Sequence, residues 1–279
     1  MAYLKKTTKD PLETLAKMRI PFTIEAKGSG KKYYSEIGNF YYREKFTVRK
    51  DLMYVFKHVE DRAKIQYELD PEKFELSSRP KFVHISKFMD STKSGIFQVP
   101  EMYCIDIKSA YWKIAYQNGL CDKETFDRFY GLKGEAKMFR NMAIGNLAAR
   151  TDVFDVDENG VITMLDSYKN DLQSIFWYVA SKCDEQIQIN KSTISGSYLF
   201  SWIDNFYVYG DITMRTIKKN LEKSGFAWDV EKVHKIVKSN TKYFVWKGNK
   251  KTPKIYNFSN NRRLQNYATV SDFLSKEKA

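Results

Sequence analysis

The chain has 279 residues, a formal net charge of +13 and a pI near 9.3, with 43% hydrophobic and 15% aromatic residues. That length makes one large domain or two small ones. The stretch Met1–Asp10 is polar and basic with no apolar signal core, and no apolar run approaches membrane-spanning length, so the expectation is a cytoplasmic protein with no membrane partner.

The basic excess favours a polyanionic partner, nucleic acid before membrane. Tyr and Phe interleaved with Lys and Arg suit base stacking as well as phosphate contact, although the same rings also fill cores. Cys104, Cys121 and Cys183 have no paired spacing, and His58, His84 and His234 are scattered, so neither a disulfide framework nor a zinc site is expected. Cys104 and Cys183 fall in apolar patterns and read as core residues.

In chain order, residues 11–27 read as a short helix followed by a strand at Ile20–Ile24. Lys27-Gly28-Ser29-Gly30-Lys31-Lys32 is a basic turn that lacks the glycine spacing of a phosphate-binding loop, and a hairpin turn is the better reading. Residues 34–48 alternate as a strand pair does, and 49–65 read as a helix with Leu52, Val55, Phe56 and Val59 on one face. Residues 66–99 look irregular and join a second region starting near Pro100. That region reads as a strand at 102–107 and helices over 110–118, 122–130 (N-cap Asp122) and 133–149. A hairpin over 152–164 and a long helix over 168–188 follow. Strands 197–203 and 205–210 then flank Asp204, ahead of a helix over 212–224 and strands with basic turns over 228–256. The tail from Ser259 carries Arg262 and Arg263 and a weak amphipathic helix. The expected division is a small N-terminal α+β region at 1–99, a central region at 100–258 and a basic tail at 259–279.

Three segments carry chemistry. The apolar run Met102–Ile107 holds one acid, Asp106, and leads through Lys108 and Ser109 to Tyr111. A carboxylate at a strand end beside a polar turn is a common metal ligand, and the turn N–H groups are free to face phosphate. In the helix over 133–149, Lys133, Lys137, Arg140 and Asn141 are three or four residues apart and share a face; this is either a solvated basic face or one that meets a triphosphate. Gly145 on the same helix allows close approach of a backbone or base. In Tyr198–Tyr209, the pair Asp204-Asn205 interrupts an aromatic β-prone run and marks a hairpin turn. A turn aspartate needs no function; beside Asp106 it becomes half of a two-metal site. Asp155-Val156-Asp157-Glu158-Asn159-Gly160 resembles part of a calcium loop, but its strand-like flanks favour a hairpin with an Asn-Gly turn.

In this order the three segments resemble motifs A, B and C of the family B DNA polymerases. Motif A, Asp-x-x-Ser-x-Tyr-Pro, is matched by Asp106, Ser109 and Tyr111, with Trp112 in place of Pro. Motif B, Lys-x-x-x-Asn-Ser-x-Tyr-Gly, is matched by Lys137, Asn141 and Gly145, with Met142 and Ile144 in place of Ser and Tyr. Motif C, Tyr-x-Asp-Thr-Asp-Ser, aligns Asp204 with the second aspartate, Asn205 with Ser and Trp202 with the first aspartate. Lys242-Tyr243 resembles the Lys-x-Tyr element that grips the primer strand.

The resemblance covers roughly residues 100–250. It implies an α+β fold: a polymerase-type palm with a central antiparallel sheet and packed helices, reduced fingers and a small N-terminal α+β region. It further implies a template-directed nucleotidyltransferase, a minimal DNA polymerase or primase-like enzyme, lacking the exonuclease domain. Asp106 and Asp204 become the catalytic ligands of Mg2+ or Mn2+. Ser109, Tyr111, Lys133, Lys137, Arg140, Asn141 and Gly145 become the nucleotide site, with Tyr111 under the sugar, and Lys242 and Tyr243 contact nucleic acid. The implied partners are a single-stranded or primed DNA template, nucleoside triphosphates and a replisome partner, in a viral or plasmid setting. Only 25 residues separate Tyr111 from Lys137 and little chain follows 256, so fingers and thumb are short and synthesis is of low processivity. The alternatives are a non-catalytic palm that binds nucleic acid as a replication subunit, which Trp202 favours, and an unrelated RNA-binding protein.

Overall fold

The computed structural model describes residues 4–27, 30–43, 50–76, 80–91, 94–99, 101–194, 197–240, 242–257 and 268–277. Gly28, Ser29, Pro100, Ser259, Arg262 and Arg263 lie outside these, as does the side chain of Leu52. The protein is α+β. Its elements begin β1 (Leu4–Thr7), α1 (Leu12–Lys17), β2 (Phe22–Lys27), β3 (Gly30–Ser35), β4 (Gly38–Arg43) and α2 (Lys50–Leu69). There follow β5 (Val83–Ile85), α3 (Lys87–Asp90), β6 (Ser94–Phe97), β7 (Met102–Ile107), α4 (Ala110–Gln117), α5 (Lys123–Phe129) and α6 (Gly134–Leu147). Next come β8 (Arg150–Val156), β9 (Ile162–Lys169), α7 (Gln173–Thr193), β10 (Tyr198–Trp202), β11 (Asn205–Tyr209) and α8 (Asp211–Lys223). The chain ends with β12 (Trp228–Ser239), β13 (Lys242–Lys247), β14 (Lys254–Asn257) and α9 (Val270–Glu277).

Two compact units form, neither continuous in sequence: Met1–Lys50, Leu147–Gln173 and Asn261–Ala279 in one, and Asp51–Asn146 with Ser174–Asn260 in the other. This differs from the linear division at 99 and 258. The reason is a non-local pairing: β8 adds to β2 in register Phe22↔Val156 through Lys27↔Thr151, which takes the β8–β9 hairpin into the N-terminal sheet.

The first unit is a six-stranded sheet in the order β1-β4-β3-β2-β8-β9. Leu12 and Leu15 of α1 and Val270 and Phe273 of α9 pack with Phe22, Ile24, Tyr33 and Phe154 from the sheet. The buried Tyr33 hydroxyl donates to Asp10, which also accepts from Lys31 Nζ at 2.7 Å.

The second unit carries an eight-stranded sheet, β14-β13-β12-β7-β11-β10-β5, with β6 also on β12. Apart from the parallel β1–β4 pair of the first unit, both sheets are antiparallel throughout. β12 is long enough to pair with β7 over Trp228–Val233 and with β6 over Ile236–Ser239. Rings from its own strands pack together: Phe200 stacks on Tyr207 at 4.2 Å and meets Tyr243 at 5.1 Å, and Trp202 lies 5.4 Å from Tyr256. Burial of Phe200, Tyr207, Tyr243 and Tyr256 with Met102, Cys104, Val233 and Val245 forms the core of this sheet.

The helices follow local signals. Asp122 caps α5, its Oδ1 accepting from the Thr125 N–H at 2.8 Å. Val55, Val59 and Ala63 form the fully buried stripe of α2, and Phe56 meets Phe139 edge-on at 5.9 Å. The segment expected to be irregular contains β5, α3 and β6, short strands whose partners β10 and β12 are distant in sequence. The long helix begins at Gln173 rather than near 168 because Tyr168 and Lys169 pair with Thr151 and Arg150. Cys104, Cys121 and Cys183 are free and buried. Among the described residues no helix is long and apolar enough to cross a membrane.

Candidate active site

β7 is buried on both faces, as its apolar run demands, with Met102 and Cys104 on one side and Ile105 and Ile107 on the other. It runs between β11 and β12. At its end the Ile107 N–H donates to the Asp204 carbonyl at 2.9 Å and the Lys108 N–H to the Ala227 carbonyl at 2.8 Å. This ties the strand end carrying Asp106 to the β10–β11 turn carrying Asp204. Both bends that follow are left-handed at non-glycine residues: Ser109 at φ 54° opens α4, and Ile203 at φ 60° makes the hairpin turn. A β-branched residue in that region is an outlier held by its surroundings; the Ile203 N–H donates to the Phe82 carbonyl at 2.7 Å.

A cleft of about 460 Å³ opens here. Asp106, Ser109 and Tyr111 line it from β7 and the start of α4, and Ile203 and Asp204 from the hairpin. α6 contributes Lys137, Arg140, Asn141 and Ile144, the i, i+3, i+4, i+7 positions of one helix face. Phe82 and Phe176 complete an apolar wall, with Phe176 6.3 Å from the Tyr111 ring.

The cleft brings two carboxylates, Asp106 and Asp204, together with two cations, Lys137 and Arg140. Burial, and then the neighbouring Asp106 charge, push the Asp204 carboxyl up to about 6, with Lys137 opposing. Burial also raises Asp106; Lys137, Lys247 and Lys254 pull it back and Asp229 adds to the rise. Arg140 is 2% exposed, and burial lowers its guanidinium. Its Nη1 donates to the Phe129 carbonyl at 2.7 Å and its Nε to Asn141 Oδ1 at 3.4 Å, and it has no ion-pair partner among the described residues. Burial raises the Tyr111 hydroxyl, which stays protonated.

Of the residues expected at a nucleotide site, Asp106, Asp204, Ser109, Tyr111, Lys137, Arg140 and Asn141 therefore come together in one cleft. Lys133 precedes α6, is exposed and does not line it. Gly145 lies on α6 outside the cleft, and a Cβ there meets nothing within 4 Å. Lys242 is exposed whereas Tyr243 is 1% exposed in the aromatic core, because neighbours on a strand face opposite ways.

The sequence reading missed Asp229. It sits directly opposite Asp106 on β12 and pairs with Lys108 Nζ at 2.7 Å. Its signal is the alternation of Trp228-Asp229-Val230-Glu231 on a strand, which gives no hint of its partner. Trp202, which the sequence resemblance aligns with the first motif C aspartate, is partly buried against the aromatic core.

Among the described residues no group of three or more Asp, Glu, His or Cys converges as a metal site. The donor set at the cleft is instead two hard carboxylates, one of them held near pH 6 by burial and like charge, which is what a divalent cation relieves. The residues present thus fit Mg2+ or Mn2+. No protein-family model matches the chain, and no curated protein or solved structure matches it.

Proposed function

We propose that the protein is a template-directed nucleotidyltransferase of the family B polymerase palm type, a minimal DNA polymerase or primase-like enzyme. The observation that carries this reading is the convergence of Asp106 and Asp204, nearly a hundred residues apart in sequence, in one cleft facing Lys137 and Arg140. Like charges are assembled here at an electrostatic cost, near a buried cation that makes no direct ion pair among the described residues but feels the Asp204 charge. Such an arrangement suits a ligand that is an anion on one side and takes metal on the other, as a nucleoside triphosphate does.

In this reading Asp106 and Asp204 hold Mg2+ or Mn2+, which when bound neutralises charge on the attacking and leaving oxygens. Lys137 and Arg140 contact the phosphates; Arg140 is the more rigid because the Phe129 carbonyl fixes its guanidinium. The left-handed Ser109 turn exposes N–H groups to the same anion. Tyr111 and Phe176 form an apolar floor for the sugar. Attack of a 3′-oxygen on the α-phosphate then forms the new phosphodiester bond and breaks the α–β bond, and pyrophosphate leaves with the proton passing to solvent. DNA, single-stranded or primed, is the template partner, and the net charge of +13 favours its binding.

A second reading, a non-catalytic palm that binds nucleic acid, is favoured by Trp202, which replaces an expected carboxylate with a core side chain. Incorporation of labelled nucleotides on single-stranded template, with and without primer and with Mg2+ or Mn2+, separates the two. The enzyme reading expects incorporation in the wild type and none in Asp106→Asn, with template binding retained in both. Template binding without incorporation by the wild type favours the second reading.

A further inference from the structure

Over β12–β14 the sheet of the second unit has one buried face and one open face. Ile236, Tyr243, Val245 and Tyr256 point into the core. Strand alternation sends their neighbours Val237, Phe244, Trp246 and Ile255 to the opposite side. Register aligns an apolar row there across four strands: Ile96 is opposite Val237, Val237 opposite Phe244, and Phe244 opposite Ile255. Ile96 is 65% exposed and Ile255 57%, with Val237 and Phe244 half-buried between them. A contiguous apolar row left open to solvent marks an interaction surface.

Cations flank the row on both sides. Lys235, opposite Trp246 in register, sets its Nζ over the half-buried indole, 5.1 Å from the ring centre. Lys242 is exposed on the other side of the row, opposite Ser239. Phe244 and Trp246 are two residues apart on β13, so their rings share this face about 7 Å apart, with room for one base on each. Apolar residues alone suit a second copy of the chain. Two rings framed by lysines, on a chain of net charge +13, suit bases and phosphates.

We propose that single-stranded nucleic acid lies on this open face, one base stacking on Phe244 and one on Trp246, with phosphates meeting Lys235 and Lys242. The lysine over Trp246 has a flexible stem; it yields the ring to a base and follows the phosphate. Ile96 and Ile255 extend the apolar floor beneath the strand. The inference rests on the nucleotidyltransferase reading only for the class of partner, and it uses none of the residues that line the cleft. Every base has a face to stack, so the surface holds a strand without reading its sequence.

Binding of a dye-labelled oligothymidylate to the full-length protein, read by fluorescence anisotropy without nucleotide or divalent ion, tests this. Phe244→Leu and Trp246→Leu are each expected to weaken binding about tenfold, with the fold retained by melting temperature. An abasic strand of the same length is expected to bind wild type and both variants alike. Lys235→Gln and Lys242→Gln are each expected to reduce the slope of log affinity against log salt by about 0.7. Wild-type affinity for the oligothymidylate in both ring variants overturns the platform and leaves the cleft reading standing. No strand bound by the folded wild type overturns the platform and the nucleic-acid partner together. A dimer in sedimentation that Trp246→Leu abolishes, with strand affinity unchanged, assigns the face to a second copy and also overturns the proposal.

Discussion

The protein contains two antiparallel hairpins with an aspartate in or beside the turn, and they use it in opposite ways. At the β8–β9 turn, Asp157 Oδ1 accepts from the N–H groups of Asn159 and Val161 at 2.9 and 2.8 Å, and the one left-handed residue of the turn is Gly160 at φ 74°. The carboxylate is exposed and serves its own loop. At the β10–β11 turn, the left-handed residue is Ile203, where glycine is the unstrained choice, and Asp204 faces the cleft beside Asp106 with its proton affinity raised. The first hairpin is built to be stable. The second holds backbone strain and desolvated charge, and such costs persist where a site needs them.

The comparison breaks most visibly at the chemistry. Asp106→Asn is expected to lower nucleotide incorporation by about a thousandfold, roughly 4 kcal/mol of barrier, while template affinity is unchanged or higher. Incorporation within a few-fold of wild type contradicts the site.

The next effect is on stability and has a defined sign. Asp204 titrates near 6 in the folded protein against a usual 3.8. Its contribution to stability is therefore fully present below the usual value and is lost as pH rises through about 6. For a partly buried group that is roughly 2 kcal/mol. Metal-free Asp204→Asn is accordingly expected to be more stable than wild type by about that amount at pH 8 and no more stable at pH 4, measured by urea denaturation. An equal difference at both pH values removes the electrostatic explanation.

Ile203→Gly sharpens the contrast from the backbone side. Relief of the left-handed conformation outweighs the added unfolded-state entropy of glycine, so about 0.5–1 kcal/mol of stabilisation is expected. A loss of stability would show that packing of Ile203 in the cleft, and not strain, dominates there. The smallest effect belongs to the ordinary hairpin: Asp157→Ala should lose about 0.5–1 kcal/mol from its two turn hydrogen bonds. An unchanged urea midpoint would show that solvent replaces both bonds.

Much of the site was legible because its parts are local. A lone acid at the end of an apolar strand, a helix face with cations at spacings of three and four, and an acid between two β-prone runs are each visible in the residues alone. Their convergence in one cleft depends on the Ile107–Asp204 backbone bond and on α6, which local pattern does not encode. The same limit hid the Asp229–Asp106 and Asn205–Asp106 pairings, which belong to strand register. The spacing of Arg140 and Lys137 left a solvated face and a triphosphate-facing one equally readable, and only the fold shows that the Phe129 carbonyl holds Arg140 inside. That Tyr243 and Lys242 face opposite sides was available from strand alternation, and the likeness to Lys-x-Tyr obscured it. The helices and most strands followed composition and period. The entry of β8–β9 into the N-terminal sheet did not, since nothing in Phe22 or Val156 specifies the other.

The most direct measurement sets the two hairpins against each other: the rate of templated nucleotide incorporation by Asp204→Asn and Asp157→Asn, side by side with wild type under Mn2+. The account predicts a loss of about a thousandfold in the first and a rate within about twofold of wild type in the second. Equal rates in the two variants would contradict the assignment of Asp204 to the active site.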